Sequence, residues 1–264
     1  MTQLDSAGVR RALVLSVAYM FGNPNRPPVE NEYAKVKAEN DWTSQQVARY
    51  PDRLRAFCGV NPLRSYALDE IARCAKDPHL HFGLKLHFGN SDVDLHNAEQ
   101  VARLRRVFRT ANDNKMPIVV HLHANISKGR PYGREEALLF LNEVLPSASD
   151  VAVQIAHLAG AGSYDVATDQ ALGVFAEAIT KRDPRTKHLY FDVSGVVEPD
   201  TPVEKANLIA SRIRQIGVER ILYGTDAASN SAFAIRQGWS AFRQLPLRAD
   251  EFQAIARNAT DYMR

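Results

Sequence analysis

The sequence predicts an α/β chain, specifically a (β/α)8 TIM barrel whose first β-strand is missing from the chain. Three observations point there. Seven short runs of apolar and β-branched residues recur along the 264 residues, and a helical pattern follows each. Most runs lack clean polar alternation, as strands of a parallel sheet covered on both faces do. A doubly wound open sheet is the structural alternative, but neither GxGxxG nor GxxxxGK[ST] follows an early strand.

The elements run in order. "MTQLDSAGV" reads as the end of a helix stopped at Gly8, so the chain is expected to open inside the first helix of the barrel. The strand runs are Arg11 to Val17, Leu54 to Val60, His81 to His87, Pro117 to His123, Val151 to His157, His188 to Ser194 and Arg220 to Asp226. Between them, "YALDEIARCAKD" sets Leu68, Ile71 and Ala75 inward, and "NAEQVARLRRVFRTANDN" sets Val101, Leu104, Val107 and Phe108 inward. "REEALLFLNEVL", "DQALGVFAEAITKR" and "VEKANLIASRIRQIG" follow the same logic, the last stopping at Gly217. "SAFAIRQGWSAFRQL" and "RADEFQAIARNATDYM" close the chain as helices. One segment breaks the rhythm. Residues 18–50 leave the first visible strand through Gly22, Asn23 and three prolines, with a helix expected from Val29 to Tyr50. In a barrel such a loop lies on the catalytic face, so 18–50 is expected to be a lid or substrate wall, with surface decoration as the alternative. The whole of 1–264 reads as one domain.

Composition excludes several classes. The chain is 45% hydrophobic and 24% charged with a formal net charge of +3, ordinary for a globular domain. Arg103, Arg105 and Arg106 sit near Glu99 as a solvated helix face, so no nucleic-acid partner is expected. No apolar span is long enough to cross a membrane and the first residues carry no apolar signal core, so no membrane partner is expected and a cytoplasmic location is the default. Cys58 and Cys74 offer no CxxC and no disulfide framework, and both read as buried fillers.

Functional side chains of a barrel sit at the carboxyl ends of its strands. Those positions hold Lys85 and His87, His121 and His123, His157, Ser194 and Asp226. An apolar barrel does not need imidazoles, and burying them without partners costs free energy. A lone strand histidine is more simply a paired core residue; several on one rim with a carboxylate point to a divalent metal. Nitrogen ligands with one carboxylate suit Zn²⁺ first, with Mn²⁺, Fe²⁺ and Co²⁺ also accommodated.

"MPIVVHLHA", "VQIAHLAG" and "ERILYGTDAA", in this order, resemble the amidohydrolase-related group of the metal-dependent amidohydrolase superfamily. "DSAGVRRALVLS" is similar to that group's passage from first helix to second strand, and "FQAIARNATDYM", with Asn258 and Ala259, to its terminal helix. The resemblance covers essentially the whole chain. It implies that His121 is the fifth-strand metal ligand, that His157 is the sixth-strand ligand or substrate-polarising group, and that Asp226 is the eighth-strand aspartate, a ligand that also accepts the proton of the attacking water. His157 and Asp226 would then be the catalytic pair, and His121, His157 and Asp226 the metal set.

The family's first-strand His-x-His pair has no counterpart. The His-x-His that falls at a strand end is His121 and His123, with three strands upstream and three downstream, which places it on the fifth strand. Either the chain lacks its natural amino terminus, or the barrel is naturally incomplete with two open sheet edges. Lys85 and His87 share a strand face. Lys85 is expected to bind a substrate carboxylate, to pair with Asp226, to be carboxylated as a metal bridge, or to be structural. His87 and His123 are expected to face substrate. Arg130 and Tyr132 could anchor an anionic substrate, or could simply shape the loop that enters the next helix. Asp192 shares a strand face with Ser194, a further candidate. His79, His81 and His188 fall at strand starts and read as structural, and His96 as a cap or solvent-facing residue.

The resemblance thus implies a metal-activated water attacking an amide, lactone or ester carbonyl of a small organic substrate. The alternatives are a zinc-dependent non-oxidative decarboxylase of an aromatic or related acid, and a catalytically silent barrel. A small-molecule substrate is the expected partner, with homo-oligomerisation left open.

Overall fold

In the computed structural model, residues 1–227 and 235–263 are described. Seven strands form one curled sheet: β1 (Ala12–Leu15), β2 (Leu54–Gly59), β3 (Leu84–His87), β4 (Ile118–His121), β5 (Val153–Ile155), β6 (Leu189–Asp192) and β7 (Ile221–Leu222). They lie in sequence order, β1-β2-β3-β4-β5-β6-β7. Every neighbouring pair is parallel. Among the described residues no pairing joins β1 to β7.

Each predicted run contains an observed strand, but the strands stop early. His123, His157, Ser194 and Asp226 lie in the turns just beyond β4, β5, β6 and β7 rather than in the ladder. The reason is local. His157 and Asp226 have φ of 57° and 50°, in the left-handed region, which no ladder accommodates.

The helices are α1 (Thr2–Ser6), α2 (Glu32–Ala48), α3 (Ala67–Cys74), α4 (Phe88–Ser91), α5 (Ala98–Asp113), α6 (Arg134–Leu139), α7 (Val166–Thr180), α8 (Val203–Ile216), α9 (Ile235–Phe242) and α10 (Ala249–Arg257). Gly8, with φ of 69°, follows α1 as expected. The helix expected from Val29 to Tyr50 is trimmed to α2. Asn97 caps α5, accepting from the backbone N–H groups of Glu99 and Gln100. Gly217, with φ of 98°, ends α8 where a side chain would be strained. After α6 the expected helix widens into a π-helical turn over Phe140–Val144 and then tightens over Leu145–Ala148, where Pro146 enters. On α3 the buried side is Ala67, Ile71 and Cys74; Leu68, expected inward, is exposed. The predicted closing helix "SAFAIRQGWSAFRQL" is observed as α9; its first residues, 231–234, lie outside the described residues.

Apolar side chains fill both sides of the sheet. Ile118 and Val120 of β4 share one core with Leu84, Leu86, Phe108, Phe140, Phe175 and Phe191, while Val119 and Phe57 are buried outside that cluster. Among the described residues no helix is long and apolar enough to cross a membrane.

Cys58 and Cys74 correct one expectation. Both are fully buried, but they are bonded to each other, joining β2 to α3 across a separation of 16 residues. Spacing alone did not reveal this, because the strand-to-helix return folds the two positions together, with Cα atoms 6.1 Å apart.

Candidate active site

Strand register gathers the site. Gly59 pairs with Lys85, and His87 with His121, so the ends of β2, β3 and β4 present adjacent side chains. A Cβ on Gly59 would lie 2.5 Å from the Ser16 carbonyl oxygen, so only glycine lets β2 pass that close to the end of β1. Neighbouring in-register positions of parallel strands bring their side chains side by side. The His87 and His121 rings stack at 3.9 Å, tilted by 18°. The His157 ring stands edge-on to His121 at 5.1 Å, and His123 lies 6.4 Å from His121 on its other flank.

Hydrogen bonds fix which nitrogen of each ring is free. His87 Nδ1 accepts from Asn90 N at 3.1 Å, in the first turn of α4. The neutral ring therefore carries its proton on Nε2 and is a donor there. His157 Nδ1 lies 2.7 Å from the Ser194 carbonyl oxygen, and His123 Nδ1 lies 2.9 Å from the Ala124 carbonyl oxygen. A carbonyl only accepts, so both rings carry the proton on Nδ1 and leave Nε2 as a lone pair. His121 has no hydrogen-bond partner on either ring nitrogen among the described residues, although it is only 8% exposed. Burial, with the neighbouring His87, His157 and Lys85, holds its basicity well below that of an ordinary histidine. Burial first, then Lys85 and His157, push His87 down to about 3. Both are neutral bases at physiological pH.

Lys85 is buried, and that burial lowers its pKa against the opposing charges of Asp192 and Asp226. No salt bridge within 4.0 Å forms between Lys85 and either acid among the described residues. Asp226 is exposed and acts on Lys85 and on Tyr19 through charge. The segment after β1 closes one side. Tyr19 packs against His87 at 5.3 Å, with its hydroxyl pushed up to about 12 by burial and by Asp226. Asn23 and Asn25 donate to Asn90 and to the Gly89 carbonyl, tying this segment to the loop that carries His87.

His157 sits on an unusual turn. His157, Leu158 and Ala159 have successive φ values of 57°, 50° and 68°. Left-handed backbone costs roughly 1–2 kcal/mol for each such residue, so the turn persists only under outside restraint. Asp192 Oδ1 supplies one, accepting from His157 N at 3.0 Å and from Ser194 N at 3.1 Å. Tyr132 supplies another, its hydroxyl donating to the Ala159 carbonyl. Its ring lies 4.2 Å from His123.

The predicted residues divide. Lys85, His87, His121, His123 and His157 converge, with Tyr132 behind His123. Asp226 stands at the outer margin: among the described residues, His121, His157 and Asp226 do not form a set with ligand atoms within 4.8 Å of one another. Arg130 directs its guanidinium to Asp92, at 3.0 and 3.1 Å, and to Asp94, at 3.2 Å, which fastens the loop after β4 to the loop after β3. His96 is exposed, as expected, while Asn97 rather than His96 caps α5; the His96 Nε2 lies 2.8 Å from Glu136 Oε1. Tyr19 and Asp192 were not singled out by the sequence. Asp192 had a visible signal, a carboxylate inside the apolar run "HLYFDVS"; Tyr19 had none beyond its position after the first strand.

A curled parallel β/α sheet with imidazoles massed at its carboxyl edge is the architecture of a barrel enzyme with its site at the strand ends. The family described as amidohydrolase matches residues 16–260, and the chain belongs to that family. Solved structures share the fold. The 5-carboxyvanillate decarboxylase of Sphingomonas paucimobilis superposes with a TM-score of 0.66 at 17% identity, over 97% of this chain and 79% of that one. A dihydroxybenzoic acid decarboxylase of Polaromonas sp. JS666, with bound manganese and the inhibitor 2-nitroresorcinol, gives 0.60 at 15% identity, over 97% and 81%. A putative amidohydrolase of Staphylococcus aureus gives 0.60 at 17% identity, over 99% and 89%. A search of curated protein sequences gives no match.

Proposed function

We propose that this protein is a divalent-metal-dependent decarboxylase of small aromatic or related carboxylic acids. The observation that carries the metal part is His121, a buried neutral imidazole without a hydrogen-bond partner among the described residues. An unmet buried polar group costs about 1–3 kcal/mol, which coordination would recover. The donor chemistry suits a divalent ion: His121 and the free Nε2 of His157 would be nitrogen ligands and Asp226, which stands outside ligand distance of that pair here, the oxygen donor. Nitrogen and oxygen donors accommodate manganese and zinc alike. When bound, the ion would act as a Lewis acid on a substrate oxygen. Similarity to decarboxylases of aromatic acids supports this choice over the hydrolysis of an amide, lactone or ester expected from sequence.

The chain's own groups have distinct parts. Lys85 and the Nε2–H of His87 would give an anionic substrate two hydrogen-bond donors in a water-poor pocket, where such contacts are strong, and the substrate's charge would favour protonation of the buried Lys85 amine. Losing carbon dioxide from an aromatic acid leaves a ring carbon that must take up a proton. Asp226, the carboxyl group at the margin beside Lys85 and Tyr19, is the proposed proton carrier. Tyr19 and the rest of residues 18–50 wall the substrate on the β1 side, and His123 with Tyr132 on the β4 side. Metal analysis of the purified protein, with carbon dioxide release from hydroxylated benzoates in added Mn²⁺ or Zn²⁺, tests this. Stoichiometric metal with release is expected. Metal with hydrolysis of esters or lactones and no release would return the chemistry to hydrolysis, and a folded protein that binds no metal would end both.

We further propose that an eighth strand fits between β1 and β7, whose outer edges are unpaired among the described residues. Open edges invite association. Light scattering of this chain should show oligomers, and a clean monomer would count against open edges.

A further inference from the structure

We propose that Asp192 is the positioning residue for His157, and that it works through a buried chain of hydrogen bonds running from the carboxyl-terminal Tyr262 to the imidazole. The proposal rests on the preceding assignment of His157 to the metal site. The Tyr262 hydroxyl donates to Gln154 Oε1 at 2.6 Å. Gln154 Nε2 donates to Asp192 Oδ2 at 2.7 Å. The other oxygen, Oδ1, accepts from His157 N at 3.0 Å, Ser194 N at 3.1 Å and Ser194 Oγ at 2.5 Å. Asp192 and Gln154 are both buried.

The proton bookkeeping admits one arrangement. A carboxylate accepts only, so the Ser194 hydroxyl proton points at Asp192. Ser194 Oγ, 3.1 Å from His157 Nδ1, is then left as an acceptor toward the ring, alongside the Ser194 carbonyl at 2.7 Å. Both contacts demand a proton on Nδ1 and so reserve Nε2 as the lone pair. The same carboxylate holds the backbone N–H of His157, the first of three left-handed residues. One buried group therefore sets the position of the ring and its tautomer together. Lys85 and Asp226 carry out neither task, since neither hydrogen-bonds to His157 among the described residues. Groups that orient a metal-binding histidine typically change metal affinity by 10- to 100-fold when lost.

The experiment reads the ring directly. Long-range proton–nitrogen correlation spectra of the metal-free protein, labelled with ¹⁵N-histidine, should show His157 as a single Nδ1–H tautomer. Asp192→Ala should give a mixed or Nε2–H ring, and Mn²⁺ titration should show affinity at least about tenfold weaker. Asp192→Asn keeps an acceptor oxygen but not the charge and should weaken affinity about threefold. Tyr262→Phe, two links away, should weaken it less than Asp192→Asn does. A role in stability alone would lower the melting temperature and leave the tautomer untouched. A folded Asp192→Ala protein that keeps both the Nδ1–H tautomer and wild-type Mn²⁺ affinity overturns the proposal. If that variant does not fold, unchanged tautomer and affinity in Asp192→Asn overturn it. Wild-type protein that shows the Nδ1–H ring, lost in Asp192→Ala, yet binds no Mn²⁺ supports the positioning and refutes the metal assignment instead.

Discussion

Two buried polar clusters lie within a few strand positions of each other, and they are built on opposite terms. At the β2–α3 side, Asn40 donates to the Gly59 carbonyl at 3.1 Å and to Glu70 Oε1 at 2.7 Å, and accepts from Gly59 N at 2.9 Å. Glu70 is fully buried and is held by Arg73 through both oxygens, at 2.7 and 2.9 Å. The donors and acceptors of Asn40 and Glu70 are matched. Across the β2–β3 ladder, Lys85, His121 and His157 are buried too and His87 is half-buried, yet His121 has no partner among the described residues and the lysine faces its acids only at a distance. A matched network fixes a fold; one left partly unmatched carries a free-energy cost that a ligand can remove.

Substitutions should separate the two. The largest effect is expected at the unmatched cluster. His121→Ala should abolish metal binding, and Asp226→Ala should cut turnover by about 10²–10⁴-fold, while neither lowers the unfolding stability of the metal-free protein by more than about 1 kcal/mol. Equal metal content in His121→Ala would break the contrast. At the matched cluster the pattern should invert. Asn40→Ala removes the side-chain partner of the Gly59 amide and carbonyl and one of the two donors at Glu70 Oε1, costing about 2–4 kcal/mol in denaturant unfolding with metal content per folded molecule unchanged. Reducing Cys58–Cys74, which closes a loop of 16 residues, should cost about 3 kcal/mol by the same measurement, again without moving the metal.

Acid should act on the histidine side. His87 titrates near 3 in the folded protein and at the ordinary 6.5 when unfolded, and His121 shifts in the same direction. Between those values the unfolded chain binds more protons, so stability is full above pH 6.5 and falls as pH drops, by up to about 1.4 kcal/mol per pH unit for each group. Denaturant titrations of the metal-free protein at pH 7 and pH 5 check this, and equal stabilities would contradict it. The smallest effect belongs to a surface pair. The hydrogen bond to Glu136 raises the pKa of His96, so its contribution is present below pH 6.5 and lost as pH rises through the raised value. At 38% exposure it is worth under about 1 kcal/mol, readable as a melting-temperature difference between wild type and His96→Gln that closes at alkaline pH.

Much of this was legible in the sequence. The seven strand runs are visible because strands covered on both faces need continuous apolar stretches, and every one of them contains an observed strand. Histidines at the ends of such runs stand out against that background, which is why Lys85, His87, His121, His123 and His157 were singled out and do converge. Arg130 shows the limit: its loop position fitted substrate binding, but its charge is committed to Asp92 and Asp94 from another loop. The Cys58–Cys74 bond was invisible for the same reason, since no local spacing encodes a strand facing a helix.

What the sequence determined by itself is therefore the alternation of strand and helix and the chemistry stored at strand ends, because periodicity and residue type are local. Tertiary structure alone decided register, tautomer and pairing. His87 stacks on His121 because β3 and β4 are in register. His157 presents Nε2 because a carbonyl from the next strand's turn holds Nδ1. Asp192 is an anchor rather than an apolar intruder because Gln154, Ser194 and the left-handed turn at His157 all direct donors at it. Apart from the contact of Ser194 with Asp192, two residues away, these depend on groups at least 34 residues apart in sequence, and hydrogen bonds are satisfied in space, not along the chain.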